Sequence, residues 1–317
     1  MITDRTQNIL SVVFSILMIF NLIPNLLVLL VLIRSKSKKN TINYLFLNLA
    51  LADILVATSL IPQYVLRPVY THPDGWAGTF ICKLFTGGFT MWVGGCAATT
   101  MHVMIAIERF YATRTSTIAR QLPRKKLMSV IVCGWIFSIL SEIPPMTVMI
   151  YDKNHSSCFE NWSQLVHGKI YTVFTFVVDF SVPLVLMVVL YAKTVKTLWG
   201  PSITSGTSLA VVKSRKRITK IAIIVTVLHA LCWLPDVTSY LIAYHVPGLV
   251  EYGSLIYHAC VIPVGLSSCL NPIVYTLQSQ RFRQELRMYI CHWLPANKVS
   301  TADYTVEIGI SKPWKTR

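Results

Sequence analysis

Asn271-Pro272-Ile273-Val274-Tyr275 closes an apolar run, Leu255 to Leu277, that holds no Asp, Glu, Lys or Arg. A run of that length is long enough to cross a bilayer as one helix. Hydrocarbon offers no hydrogen-bond partners, so a proline inside such a helix frees a backbone carbonyl that other groups must satisfy. Asn271 immediately before the proline and Tyr275 three residues after it bring polar groups to the break.

The rest of the chain has the same character. Of 317 residues, 54% are hydrophobic and 13% charged, against about 25% charged in a soluble domain. Mean hydropathy is +0.56. Seven runs meet the length of roughly 20 apolar residues that a helical crossing requires: about 9–33, 42–66, 84–107, 127–150, 170–192, 218–243 and 254–277. The first is too long for the apolar core of a signal peptide and is read as the first crossing.

The net charge of +16 is unevenly spread. With the N-terminus outside, 24 of the 29 bases fall in cytoplasmic segments, and only Arg5, Arg67, Lys83, Lys153 and Lys169 fall outside. This positive-inside bias predicts an extracellular N-terminus, a cytoplasmic C-terminus and an odd number of spans. The basic charge then serves topology and lipid contact, not nucleic acid.

The expected organisation is a short extracellular N-terminus at 1–8, a bundle at 9–278, an amphipathic juxtamembrane helix at 279–292 and a cytoplasmic tail at 293–317. In the third of these, Phe282, Leu286 and Tyr289 share one face away from Arg281, Arg283 and Arg287, the pattern of a helix lying on a membrane surface; Cys291 is a candidate palmitoylation site. The eight cysteines are too scattered for a zinc site. Cys82 and Cys158 alone fall in expected extracellular flanks, where an oxidising compartment permits a disulfide. Asn154 and Asn161 begin glycosylation sequons in the same outer loop.

Each span also carries a marker residue: Asn25 in the first, Leu49-Ala50-Leu51-Ala52-Asp53 in the second, and Cys82 through Glu108-Arg109-Phe110 in the third. Trp135 marks the fourth, Pro183 and Tyr191 the fifth, Cys232-Trp233-Leu234-Pro235 the sixth, and Asn271 to Tyr275, followed by Phe282, the seventh. In order and placement these resemble rhodopsin-like (class A) G-protein-coupled receptors over residues 9 to 292. The resemblance implies an all-α membrane protein, a seven-transmembrane helix bundle with an amphipathic eighth helix, in the plasma membrane. It is not an enzyme fold; its partners would be an extracellular ligand, a heterotrimeric G protein, arrestin and the lipid bilayer. It also implies a Cys82–Cys158 disulfide.

By the same resemblance, Asp53 with Ser267, Ser268 and Asn271 forms a mid-membrane polar nest, which the family uses for sodium. Ala98 stands where the family usually places a serine ligand and counts against the ion; a plain water-filled network is the other reading. Glu108, Arg109, Tyr191, Thr219 and Tyr275 are the expected G-protein-coupling residues. Phe110 replaces the usual tyrosine. Arg215 replaces the acid that locks the arginine in many relatives, leaving Thr219 as a candidate hydrogen-bond partner for Arg109.

The ligand is constrained by what is missing. The seventh span has no lysine for a retinal Schiff base; Gly265 occupies the matching position. Met91 stands where amine receptors place an aspartate. Carboxylates lie elsewhere: Glu142, Asp179 and Asp236. Trp233, Asp236 and Tyr240 share one helical stripe. Gln63, Met91, Trp92 and His258 complete the expected ligand-facing set. Intramembrane acids imply partners, so the reading is a short basic peptide, each aspartate facing a cationic group; acids that are protonated or hydrogen-bonded to neighbours are the alternative. The long outer loop, Pro62 and Trp76 resemble the peptide-binding branch. A small cationic amine receptor remains the alternative within the family, and a transporter outside it, though no paired repeats appear.

Finally, His102 and His229 replace a leucine and a phenylalanine that the family packs below the sixth-span tryptophan. Two imidazoles meeting there are expected to share a hydrogen bond, and protonating both would drive the helices apart. A static pair without a switching role is the competing reading.

Overall fold

The computed structural model describes residues 4–34, 41–66, 69–114, 123–152, 157–200, 209–251 and 254–278. The helix at 279–292 with Phe282 and Cys291, the tail at 293–317, Asn154 and the side chain of Tyr275 lie outside the described residues.

Among the described residues the elements run α1 (Asp4–Arg34), α2 (Thr41–Leu60), α3 (Gly75–Ile81), α4 (Phe89–Arg114), α5 (Arg124–Val148), β1 (Met149–Asp152), β2 (Ser157–Glu160), α6 (Leu165–Phe174), α7 (Val182–Trp199), α8 (Leu209–His245) and α9 (Leu255–Gln278). Three wide π-helical segments, Ile61–Val65, Cys82–Thr86 and Thr175–Ser181, extend α2 and join α3 to α4 and α6 to α7. Seven helical stretches result that are long and apolar enough to cross a membrane. The helices outrun the hydropathy windows: α1 begins at Asp4, within the expected N-terminus, the third span starts at Gly75 and the sixth at Leu209. A helix satisfies its own backbone, so it can continue through charged turns such as Lys213 to Arg217 after the apolar stretch has ended.

Two of the wide turns coincide with prolines. Pro62 lies in the first, and Pro183 comes two residues after the third ends at Ser181. Proline has no N–H for the carbonyl four residues back and crowds it; for Pro183 that carbonyl belongs to Asp179. The widened turn accommodates the conflict, and the Ser181 hydroxyl bonds the Phe176 carbonyl at 2.8 Å.

The third span is the axis, packed against the second, fourth, fifth and sixth. Close approach needs small residues there: a Cβ at Gly94 would meet the Ala52 carbonyl at 3.0 Å, and one at Gly95 would collide with the Trp233 ring. Ile16, Ile19, Phe20 and Ile23 of α1 are exposed, as a lipid-facing surface requires. Polar side chains turn inward and tie spans together. Asn25 donates to the Ser268 carbonyl at 3.0 Å, Asn271 to Asp53 at 2.7 Å, and Trp135 to Asn48 at 3.2 Å.

Candidate functional site

The bundle's two ends differ. At one, β1 and β2 pair antiparallel with Met149 opposite Glu160 and Tyr151 opposite Cys158. Cys158 is disulfide-bonded to Cys82 at the head of the third span, which pins the hairpin to the bundle. Asn161, just past β2, is exposed, as a glycan acceptor must be.

Behind the hairpin lies a cleft that opens to solvent. Its walls include Trp92, Glu142, Asp179, Trp233, Asp236 and Tyr240, all singled out in the sequence. Trp233 is its floor, edge-on to Trp92 with ring centroids 6.1 Å apart. Among the described residues four carboxylates line the cleft, Glu142, Glu160, Asp179 and Asp236, against a single lysine or arginine, Lys83. Lys83 itself donates to the Thr147 carbonyl at 2.7 Å.

Glu160 was not anticipated. It sits on β2, where the Tyr244 hydroxyl donates to it at 2.6 Å, Trp162 Nε1 at 2.8 Å and the Tyr240 hydroxyl at 2.9 Å. The available signal was its place two residues after Cys158, which puts it on the hairpin face that Cys158 fastens to the third span. Glu142 accepts from the Tyr171 hydroxyl at 3.1 Å.

Three expected ligand residues are not among the cleft walls. Met91 is fully buried in a cluster with Phe14, Tyr64 and Tyr171; it is core packing. His258 Nδ1 pairs with the Tyr64 hydroxyl at 3.3 Å. Gln63 lies beside Gly88, displaced by the wide turn at Pro62.

In mid-bundle, Asp53 is buried and holds Asn271 and the Ser268 hydroxyl as hydrogen-bonding neighbours. Ser267 is not part of that nest: its hydroxyl pairs with His229 Nδ1 at 3.3 Å. With Ser267 turned away, an amide donor on Asp53 and no side-chain oxygen from Ala98, these residues do not fit a sodium shell of oxygens.

The His102 and His229 rings do meet, with centroids 4.5 Å apart, but they share no hydrogen bond. His229 is held between Thr99 at 2.9 Å and Ser267. His102 Nδ1 reaches Thr226 at 3.5 Å, and its Nε2 is buried without a partner. Both His229 nitrogens are taken up by hydroxyls on spans three and seven.

At the opposite end, Arg109 forms a buried ion pair with its neighbour Glu108. Thr219 does not take up Arg109: its hydroxyl is buried with no hydrogen-bond partner. Tyr191 instead pairs with Thr226 at 3.2 Å.

Seven spans, a strapped acidic cleft at one end and a buried Glu–Arg pair at the other are the architecture of a helical membrane receptor. The chain matches the family described as "7 transmembrane receptor (rhodopsin family)" over residues 24–275, and it belongs to that family. It is similar to galanin receptor 2b of Danio rerio, with 30% identity over 293 residues covering 87% of this chain and 73% of that one. The pyroglutamylated RF-amide peptide receptor of Rattus norvegicus is 26% identical over 314 residues, covering 92% and 71%. The allatostatin-A receptor of Bombyx mori is 26% identical over 296 residues, covering 89% and 79%.

Proposed function

We propose that the protein is a peptide-activated G-protein-coupled receptor whose ligand enters the cleft behind the β1–β2 hairpin. The observation that carries this is the cleft itself, with carboxylates contributed by spans four, five and six and by the hairpin. The charge of that lining selects a basic ligand. The relatives' names, galanin, RF-amide peptide and allatostatin-A receptors, support a peptide over an amine, as does Met91 in the packed core.

In this reading the hairpin end faces the extracellular side of the plasma membrane. Ligand contact near Trp233 opens the far end, where Arg109 leaves Glu108 and meets a heterotrimeric G protein, with arrestin and inner-leaflet lipid as further partners. The test is nucleotide exchange on a panel of G proteins, driven by a library of short peptides in cells expressing the chain. Response to basic peptides above mock-transfected cells is the expected result. A receptor that answers amines and no peptide overturns the reading.

A further inference from the structure

We propose that the cleft takes a ligand with two separate cationic groups, one for Asp179 and one for Asp236. This deepens the receptor reading above and rests on it for the location of the site.

The four carboxylates of the cleft sort by what they already touch. Glu160 accepts from three aromatic side chains, and Glu142 from Tyr171. Those two acids are held by the protein. Asp179 is not: both of its oxygens are buried and neither has a hydrogen-bond partner. Asp236 has its Oδ1 in the same condition, on a residue only 4% exposed. Both aspartates line the cleft.

Buried polar groups are almost always paired, so a carboxyl with no partner inside the protein marks a candidate place for one from outside. Among the described residues Lys83 is the single base in the cleft walls, and its ammonium is directed to Thr147. The two aspartates also project from different spans. Asp179 sits in the wide turn before Pro183, and Asp236 lies one helical turn past Trp233. Three carboxylate oxygens on two spans therefore lack a donor. Two cationic groups answer both, with Trp92, Trp233 and Tyr257 offering ring faces alongside.

The test uses the full-length receptor, purified in detergent, and reads its thermal unfolding midpoint against three probes at about pH 6.5, where an α-amine is charged. L-arginine amide carries a guanidinium and an α-ammonium; N-acetyl-L-arginine amide carries the guanidinium alone; N-acetyl-L-citrulline amide is neutral with nearly the same shape. Binding to the folded state raises the midpoint. The dication should half-saturate at about a tenfold lower concentration than the monocation, a modest figure for a second close charge pair. The neutral probe should do nothing. Asp179→Asn and Asp236→Asn should each reduce the dication to the monocation's behaviour, and their probe-free midpoints report whether they fold.

Equal potency of the two cations on the wild-type protein overturns the proposal without any variant. So does the absence of a shift with every probe, or a dication effect that survives both asparagines. Failure of the peptide reading looks different: cation-dependent stabilisation persists while no peptide drives nucleotide exchange. Peptide-driven exchange without cation-dependent stabilisation removes the dication and leaves the peptide.

Discussion

The Tyr244 hydroxyl lies 2.6 Å from the Glu160 carboxylate, so the sixth span is tied to the hairpin that walls the cleft. Trp162 and Tyr240 donate to the same carboxylate. Three donors on one anion make a charge-assisted cluster, stronger than neutral bonds. Glu160→Gln keeps the shape and loses the charge. We expect it to lower stability by about 1.5–3 kcal/mol, the range for hydrogen bonds to a charged group. Thermal unfolding measures this, and hydrogen exchange in residues 157–160 should speed up. Unchanged protection there would show that the disulfide alone holds the strand.

The Cys82–Cys158 bond closes a segment 76 residues long in sequence. Constraining the unfolded chain over such a length stabilises by about 2–5 kcal/mol. A Cys82→Ser, Cys158→Ser receptor should therefore unfold at lower temperature and lose ligand response while keeping its helical content. Wild-type unfolding and response in that variant would contradict a structural role for the strap.

Arg109→Ala should abolish agonist-driven nucleotide exchange and leave ligand capture detectable, because the arginine lies at the end of the third span remote from the cleft. Exchange at normal rates with equal expression would contradict the assignment. Thr219→Val is the companion measurement. Its hydroxyl is buried and unpartnered, so the valine should raise the unfolding midpoint, on the order of 1–3 kcal/mol of relieved desolvation. A loss of stability would reveal a partner for that hydroxyl.

The seven spans were legible because hydropathy and the positive-inside bias are properties of the chain itself. Span ends were less so: Lys213 to Arg217 end an apolar window but not a helix. Trp233, Asp236 and Tyr240 reached the cleft as helical spacing requires. Gln63 did not, because the wide turn at Pro62 rotates everything beyond it. Met91 and His258 were placed by resemblance and turned out to serve packing and a tyrosine. Glu160 was missed because its donors, on β2's flank and the sixth span, converge only in three dimensions. Ser267 was placed beside Asp53 by resemblance, yet neighbours on a helix point about 100° apart, and its hydroxyl pairs with His229.

The same hydroxyl decides how the histidine layer behaves. His229 is buried between Thr99 and Ser267, so replacing it with phenylalanine strands the Ser267 hydroxyl, while Thr99 keeps its bond to the Gly95 carbonyl. A stranded group costs about 1–3 kcal/mol. His102 is differently placed: one nitrogen makes a long contact with Thr226 and the other makes none. His102→Leu removes an unsatisfied nitrogen and fills the space with hydrocarbon. We therefore expect His229→Phe to lower the unfolding midpoint clearly, and His102→Leu to leave it unchanged or raise it. The rings are in contact, so the two effects should not add. The double variant, measured in the same detergent, should recover part of the His229→Phe loss, since leucine against phenylalanine packs where leucine against imidazole does not. Equal losses from both single substitutions would mean that the histidines work as one hydrogen-bonded unit after all.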